Sequence, residues 1–152
     1  MRGYFGIGIE NTKDIFNIGT LWRSADLFGA AFIFTIGRRY KKQASDTSKA
    51  LRRIPLYNYV DFDDFYRHMP ANCHLAGIEL TDSAIDLDKF NHTQRCIYLL
   101  GAEDHGLSNE ALKKCHSIIK IPIGDFSMNV STAGSIVLYD RWVKNNYILN
   151  AV

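Results

Sequence analysis

The sequence predicts an α/β protein with a mostly parallel sheet flanked by helices. Three observations carry this. Short apolar runs of strand length, such as AFIFTIG (31–37) and CIYLLG (96–101), lack the polar alternation of a strand with one wet face. Helix-length segments with caps alternate with those runs, as in βαβ units. Several runs end in glycine-containing loops, at Gly37, Gly101 and Gly124. With 152 residues, 47% apolar and 22% charged, the chain is expected to form a single domain over 1–152 with a proper core.

Taken in order, residues 4–10 (YFGIGIE) form a first strand. Its Gly6 and Gly8 are followed by neither a third glycine nor an opening helix, so they make no dinucleotide fingerprint. Two glycines inside a strand instead let another backbone approach closely. Residues 17–29 (NIGTLWRSADLFG) form a helix capped by Asn17 or Asp14, with Leu21, Ala25, Leu27 and Phe28 as its apolar face and Gly29 as its stop. Arg23 lies among mostly apolar neighbours and is either a surface residue or a positioned charge. Residues 31–37 form a buried strand. Segment 38–53 carries seven basic residues (Arg38, Arg39, Lys41, Lys42, Lys49, Arg52, Arg53) against one acid, Asp46, with Tyr40 interleaved. It is expected to be an exposed loop, and such a patch suits a phosphate backbone.

Residues 55–60 form a short strand, 61–69 a helix opened by acids, and 73–80 a further strand with Gly77 near its end. Residues 82–88 read as a turn region. The strand 96–101 runs into GAEDHGLS (101–108). Gly101 there can let a ligand lie against the backbone, and Ser108 can cap the helix NEALKKC. Residues 117–122 form the last strand, stopped by Pro122, and a helix of about 130–146 closes the chain. That helix is apolar around much of its circumference, so it is buried in the domain or against a partner. Tyr139 and Trp142 would suit a dimer interface.

Composition excludes several classes. No apolar run reaches membrane-spanning length, and the N-terminus lacks a secretory layout. Three separated cysteines (Cys73, Cys96, Cys115) make neither a disulfide framework nor a zinc site, and His68, His74 and His92 show no metal-ligand spacing. A cytoplasmic protein without a metal is expected. Ser127 and Asn129, at the junction between the last strand and the last helix, are read as building a loop that must hold one shape.

Three stretches, N17-I-G-T-L-W-R23, G101-A-E-D-H-G-L107 and I121-P-I-G-D-F-S-M-N-V-S131, together resemble the SpoU/TrmH branch of the SPOUT class of RNA methyltransferases. Their order and spacing match essentially the whole chain, with Met128 where leucine is common. The resemblance implies a deep C-terminal trefoil knot, a rare exception to unknotted chains. It implies S-adenosyl-L-methionine as cofactor, held near Gly77, Ile78, Leu100, Gly101, Ile121, Ser127, Met128 and Asn129. It implies a homodimer and methyl transfer to a ribose 2′-hydroxyl of tRNA or rRNA, in a compact form without an added RNA-binding domain. The residues it points to for the chemistry are Arg23, Asn17, Glu103, Ser127 and Asn129. RNA contact would fall to Arg23, Arg38, Arg39, Lys41, Lys42, Arg52 and Arg53. Two alternatives are an RNA-binding protein that keeps the fold without catalysis and a plain nucleotide-binding α/β protein.

Overall fold

The computed structural model describes residues 3–37, 53–124 and 127–147. Seven strands form one sheet: β1 (Tyr4–Glu10), β2 (Phe32–Ile36), β3 (Leu56–Tyr59), β4 (His74–Ile78), β5 (Ile85–Asp86), β6 (Arg95–Leu100) and β7 (Ser117–Lys120). Their order across the sheet is β3-β2-β1-β6-β4-β7-β5, and every strand pair is parallel. All strands therefore present their carboxyl ends to one edge. Among the described residues four α-helices cover the faces: α1 (Ile15–Phe28), α2 (Phe62–His68), α3 (Asn109–Lys114) and α4 (Val130–Tyr147).

Two apolar clusters sit on opposite faces. One packs Ile7, Ile9, Tyr98 and Leu100 against Leu21, Trp22 and Ala25 of α1 and Ala133, Val137 and Leu138 of α4. The other packs Phe32, Phe34, Ile97 and Leu99 against Phe62, Phe65, Leu107 and Ala111. The unbroken apolar runs of the inner strands follow from this, since both faces are covered.

Gly6 and Gly8 make room for side-chain rings as well as backbone. A Cβ on Gly6 would lie 2.5 Å from the Phe32 ring, and one on Gly8 would lie 2.4 Å from the Phe34 carbonyl and 2.5 Å from its ring. The parallel register sets Gly6 beside Phe32 and Gly8 beside Phe34, so the bulk is on one strand and the space on the next.

Three expectations shift. α1 begins two residues earlier than expected, because Asp14 caps it by accepting from the Phe16 N–H at 2.9 Å. Leu27 is 82% exposed, so the core face of α1 runs through Ile18, Leu21, Trp22 and Ala25 instead. Within the supposed turn region 82–88, Ile85 and Asp86 pair with β7 as a two-residue edge strand, too short to leave a periodic signature.

At the amino end of the sheet, α4 is anchored by a buried charge cluster that sequence patterning did not reveal. Arg141 is 2% exposed and donates to the carbonyls of Thr93 (2.7 Å) and Gln94 (3.1 Å) and to the Tyr98 hydroxyl (3.1 Å). Its guanidinium also lies 4.5 Å from the centre of the Phe5 ring. Burial pushes the His92 imidazole down to about 4, although Asp140 pulls it up. A neutral His92 fits its partners: the Tyr98 hydroxyl donates to Nδ1 (2.5 Å) and Nε2–H donates to Asp140 (2.8 Å), which Lys144 also engages.

Candidate active site

The carboxyl edge of the sheet is where an open α/β sheet binds ligands, and here it is concave. A cleft of about 650 Å³, counting its open mouth, lies beyond β4, β6 and β7 and against the start of α4. Its walls are mainly apolar, from Ile78, Leu80, Leu100, Ile121, Ile123, Met128, Val130 and Ala133. Ser127, Glu79, Glu103 and Lys120 bring polar groups to it. The lining, mainly apolar with a few polar groups brought together, is that of a small-molecule pocket.

Beside the cleft, three loops meet through Asn17. Its side chain is 5% exposed although it sits in the first turn of α1, and Asp14 frees it from capping. Asn17 Nδ2 donates to Glu103 Oε1 at 2.6 Å. Asn17 Oδ1 accepts from Asn129 Nδ2 at 3.0 Å, with the Ser131 hydroxyl at 3.4 Å. Asn129 Oδ1 in turn accepts from Ser131 Oγ (2.7 Å) and from the Thr132 N–H (3.1 Å), capping α4. These residues lie 86 to 114 positions apart in sequence.

Chemistry fixes the polarity of this relay. An ionised carboxylate only accepts, so Asn17 must turn its NH2 to Glu103 and its carbonyl to Asn129. Glu103 also accepts from the Thr12 hydroxyl (2.6 Å) and the Lys13 N–H (3.2 Å). Desolvation would raise its pKa, but the hydrogen bonds from Thr12, Asn17 and the backbone outweigh it, and the carboxyl is held below the ordinary glutamate value. Glu103 is therefore a fixed anion that orients amides and is poorly suited to take up a proton.

The loop carrying Glu103 is pinned by two acids that the sequence reading missed. Buried Glu10 accepts from both the N–H (2.9 Å) and the hydroxyl (2.7 Å) of Ser108. Glu79 accepts from the Leu107 N–H at 2.8 Å. Each acid ends an apolar strand run, GIGIE and AGIE, and an acid at that position was the available signal. Gly101 lines the cleft, but its closest neighbour is protein: a Cβ there would lie 2.2 Å from the carbonyl carbon of Gly106. The close approach is needed to fold the loop back, where Ala102 and Gly106 exchange backbone hydrogen bonds of 3.1 and 2.9 Å.

Of the residues considered for a cofactor, Ile78, Leu100, Gly101, Ile121, Ser127 and Met128 line the cleft. Gly77 does not. It faces α3, where a Cβ would meet Leu107, Cys115 and Ile118 within 2.9 Å. Asn129 is turned to Asn17. Arg23 is exposed on α1, one and a half turns beyond Asn17, and has no hydrogen-bond or ion-pair partner among the described residues. Arg53 is also exposed, 3.9 Å from Asp26. Arg38, Arg39, Lys41, Lys42 and Arg52 lie outside the described residues. Among the described residues no group of three or more metal-ligating side chains occurs, and no helix is long and apolar enough to cross a membrane.

A parallel sheet with a ligand cleft at its carboxyl edge, bordered by an amide relay from three loops, defines an α/β protein built to hold a small organic molecule beside a rigid polar site. The chain belongs to the SpoU rRNA Methylase family, whose sequence model matches residues 5–139. It is 26% identical over 137 residues to the tRNA (guanosine(18)-2′-O)-methyltransferase of Escherichia coli, a match covering 87% of this chain and 60% of that protein. The chain thus spans about three fifths of that relative's length. Its fold matches an AdoMet-bound rRNA methyltransferase of Sinorhizobium meliloti with a TM-score of 0.83 at 22% identity, covering 96% of this chain and 58% of that one. It also matches a structure solved to explain 2-OH methylation of C/U34 on tRNA, with a TM-score of 0.84 at 18% identity, covering 97% and 99% of the two chains.

Proposed function

We propose that this protein is an S-adenosyl-L-methionine-dependent methyltransferase that modifies a ribose 2′-hydroxyl of tRNA or rRNA. The observation that carries the reading is the Glu103–Asn17–Asn129 relay set against the cleft, built from the three stretches that identify the family. The E. coli relative's 2′-O-methylation of tRNA supports the reaction type. The cleft fits the cofactor: apolar walls suit a purine nucleoside, and charged side chains at one wall suit a polar tail. When bound, the cofactor supplies a methyl group on a good leaving group, the sulfonium.

What remains for the protein is alignment and charge. Arg23 offers five guanidinium donors and a permanent positive charge, which grip the phosphate beside the target ribose and stabilise charge as the hydroxyl oxygen attacks. Asn17 and Asn129 lock the junction of α1 and α4, so that Arg23 is presented from a rigid helix. Glu103 sets the orientation of both amides, and the hydroxyl proton leaves to water. Ser127 stands at the cleft rim, where it contacts cofactor or substrate.

The protein acts in the cytoplasm as a homodimer. Phe16, Leu27, Tyr139 and Trp142 are 71, 82, 57 and 41% exposed on α1 and α4, an apolar surface that a second copy would cover. Leu27→Glu is expected to yield monomers in sedimentation velocity, and a dimer that survives it refutes this interface. The trefoil knot is part of the same proposal: β7 lies between β4 and β5, so the chain returns between two strands already laid down.

The direct test is transfer of labelled methyl groups to total RNA, digested to nucleosides for mass spectrometry. A 2′-O-methylated nucleoside that disappears with Arg23→Ala is expected. RNA binding with no transfer would favour a non-catalytic RNA-binding protein.

A further inference from the structure

Two charged residues at the cleft have no part in the relay. Glu79 follows β4 and Lys120 ends β7, adjacent parallel strands that pair Ile78 with Ile119, and the Glu79 N–H donates to the Ile119 carbonyl at 3.0 Å. This places the two residues side by side at the carboxyl edge, and both line the cleft. They form no ion pair with each other. Glu79 accepts from the Leu80 and Leu107 N–H groups at 3.0 and 2.8 Å, one on each oxygen, which leaves a second lone pair on each. Lys120 has no hydrogen-bond or ion-pair partner among the described residues. Its neighbour across β5, Asp86, is engaged by Lys89 at 2.7 Å. Lys120 thus stands between two acids, its charge felt by Asp86 but in direct contact with neither, at the wall of an apolar cleft, and is arranged for a ligand.

We infer that Glu79 and Lys120 form a clamp for an α-amino-acid zwitterion, Glu79 accepting from the ammonium group and Lys120 donating to the carboxylate. This rests on the reading of the cleft as a cofactor site and names the part of the cofactor that these residues hold. A ribose hydroxyl can donate to a carboxylate, but only the methionine end offers an ammonium and a carboxylate together, and so satisfies both charges at once. Because Glu79 also pins the 101–108 loop through Leu107, occupation of the clamp reaches the loop that carries Glu103.

The test is calorimetric binding of S-adenosylhomocysteine and of 5′-methylthioadenosine, which shares the adenosine and the sulfur but lacks the amino-acid end. Wild type is expected to prefer S-adenosylhomocysteine by at least about tenfold, the scale of one charge-assisted hydrogen bond. Lys120→Met should remove most of that preference while leaving 5′-methylthioadenosine affinity unchanged, and Lys120→Arg should keep it. An unchanged preference in Lys120→Met, or an equal loss for both ligands, overturns the clamp. So does a raised KM for RNA with unchanged S-adenosylhomocysteine affinity, which would assign Lys120 to a phosphate. Failure of wild type to bind either ligand would instead sink the cofactor reading, and the clamp with it.

Discussion

Arg23 and Arg141 are arginines on two helices that pack together, and the structure treats them in opposite ways. Arg141, at the amino end of the sheet, is 2% exposed and donates to two carbonyls and a tyrosine hydroxyl. Arg23 is exposed and has no hydrogen-bond or ion-pair partner among the described residues. A buried cation is tolerated only when the protein supplies its hydrogen bonds. The phosphate-binding role proposed for Arg23 requires it to be left open, because any internal partner would compete with the ligand. The acids show a similar contrast: Glu10 is buried against Ser108, whereas Glu79 lines the cleft.

The sharpest way to break this contrast is to remove each arginine. Arg23→Ala should lower methyl transfer by about 10³-fold, as loss of a transition-state donor does, while thermal melting stays close to wild type. A comparable drop in melting temperature would show that Arg23 serves the fold. Arg141→Met should do the reverse: it strands the Thr93 and Gln94 carbonyls and costs about 3 kcal/mol of stability in chemical denaturation. Residual folded Arg141→Met protein should still bind S-adenosylhomocysteine.

Two smaller effects refine the comparison. Glu103→Gln should cost about 1 kcal/mol, since the carboxylate is partly solvated and only the excess strength of its hydrogen bonds is lost. Because the folded-state carboxyl is held below the ordinary glutamate value, its stabilisation is present above that value and lost as pH falls through the folded one. The melting difference between wild type and Glu103→Gln should therefore shrink in acid. A difference that grows in acid contradicts the relay. His92 should matter in a different window. Its imidazole, at about 4 in the fold against an ordinary 6.5, favours the folded state most above 6.5 and progressively less as pH falls toward 4. His92→Gln should flatten that part of the pH–stability profile, and at neutral pH its effect should be the smallest of the four.

Most of the fold was legible in the chain. Unbroken apolar runs gave the buried parallel strands, and Gly29 and Ser108 marked helix ends, because capping and hydrophobic period are local properties; the start of α1 stayed open between Asp14 and Asn17. The site residues were legible as motifs, since Asn17, Glu103 and Asn129 sit in short recognisable stretches. Their polarity was not. Which end of the Asn17 amide faces Glu103 depends on a partner 86 positions away.

Local patterning along the chain set the alternation of strands and helices and placed three polar loops beside them. Long-range packing turned Leu27 outward, made Gly6 and Gly8 give way to Phe32 and Phe34, and buried Arg141 while leaving Arg23 exposed. The physical reason is range. Propensity and capping act over a few residues, whereas burial and charge pairing are set by whichever distant segments the parallel crossovers bring alongside.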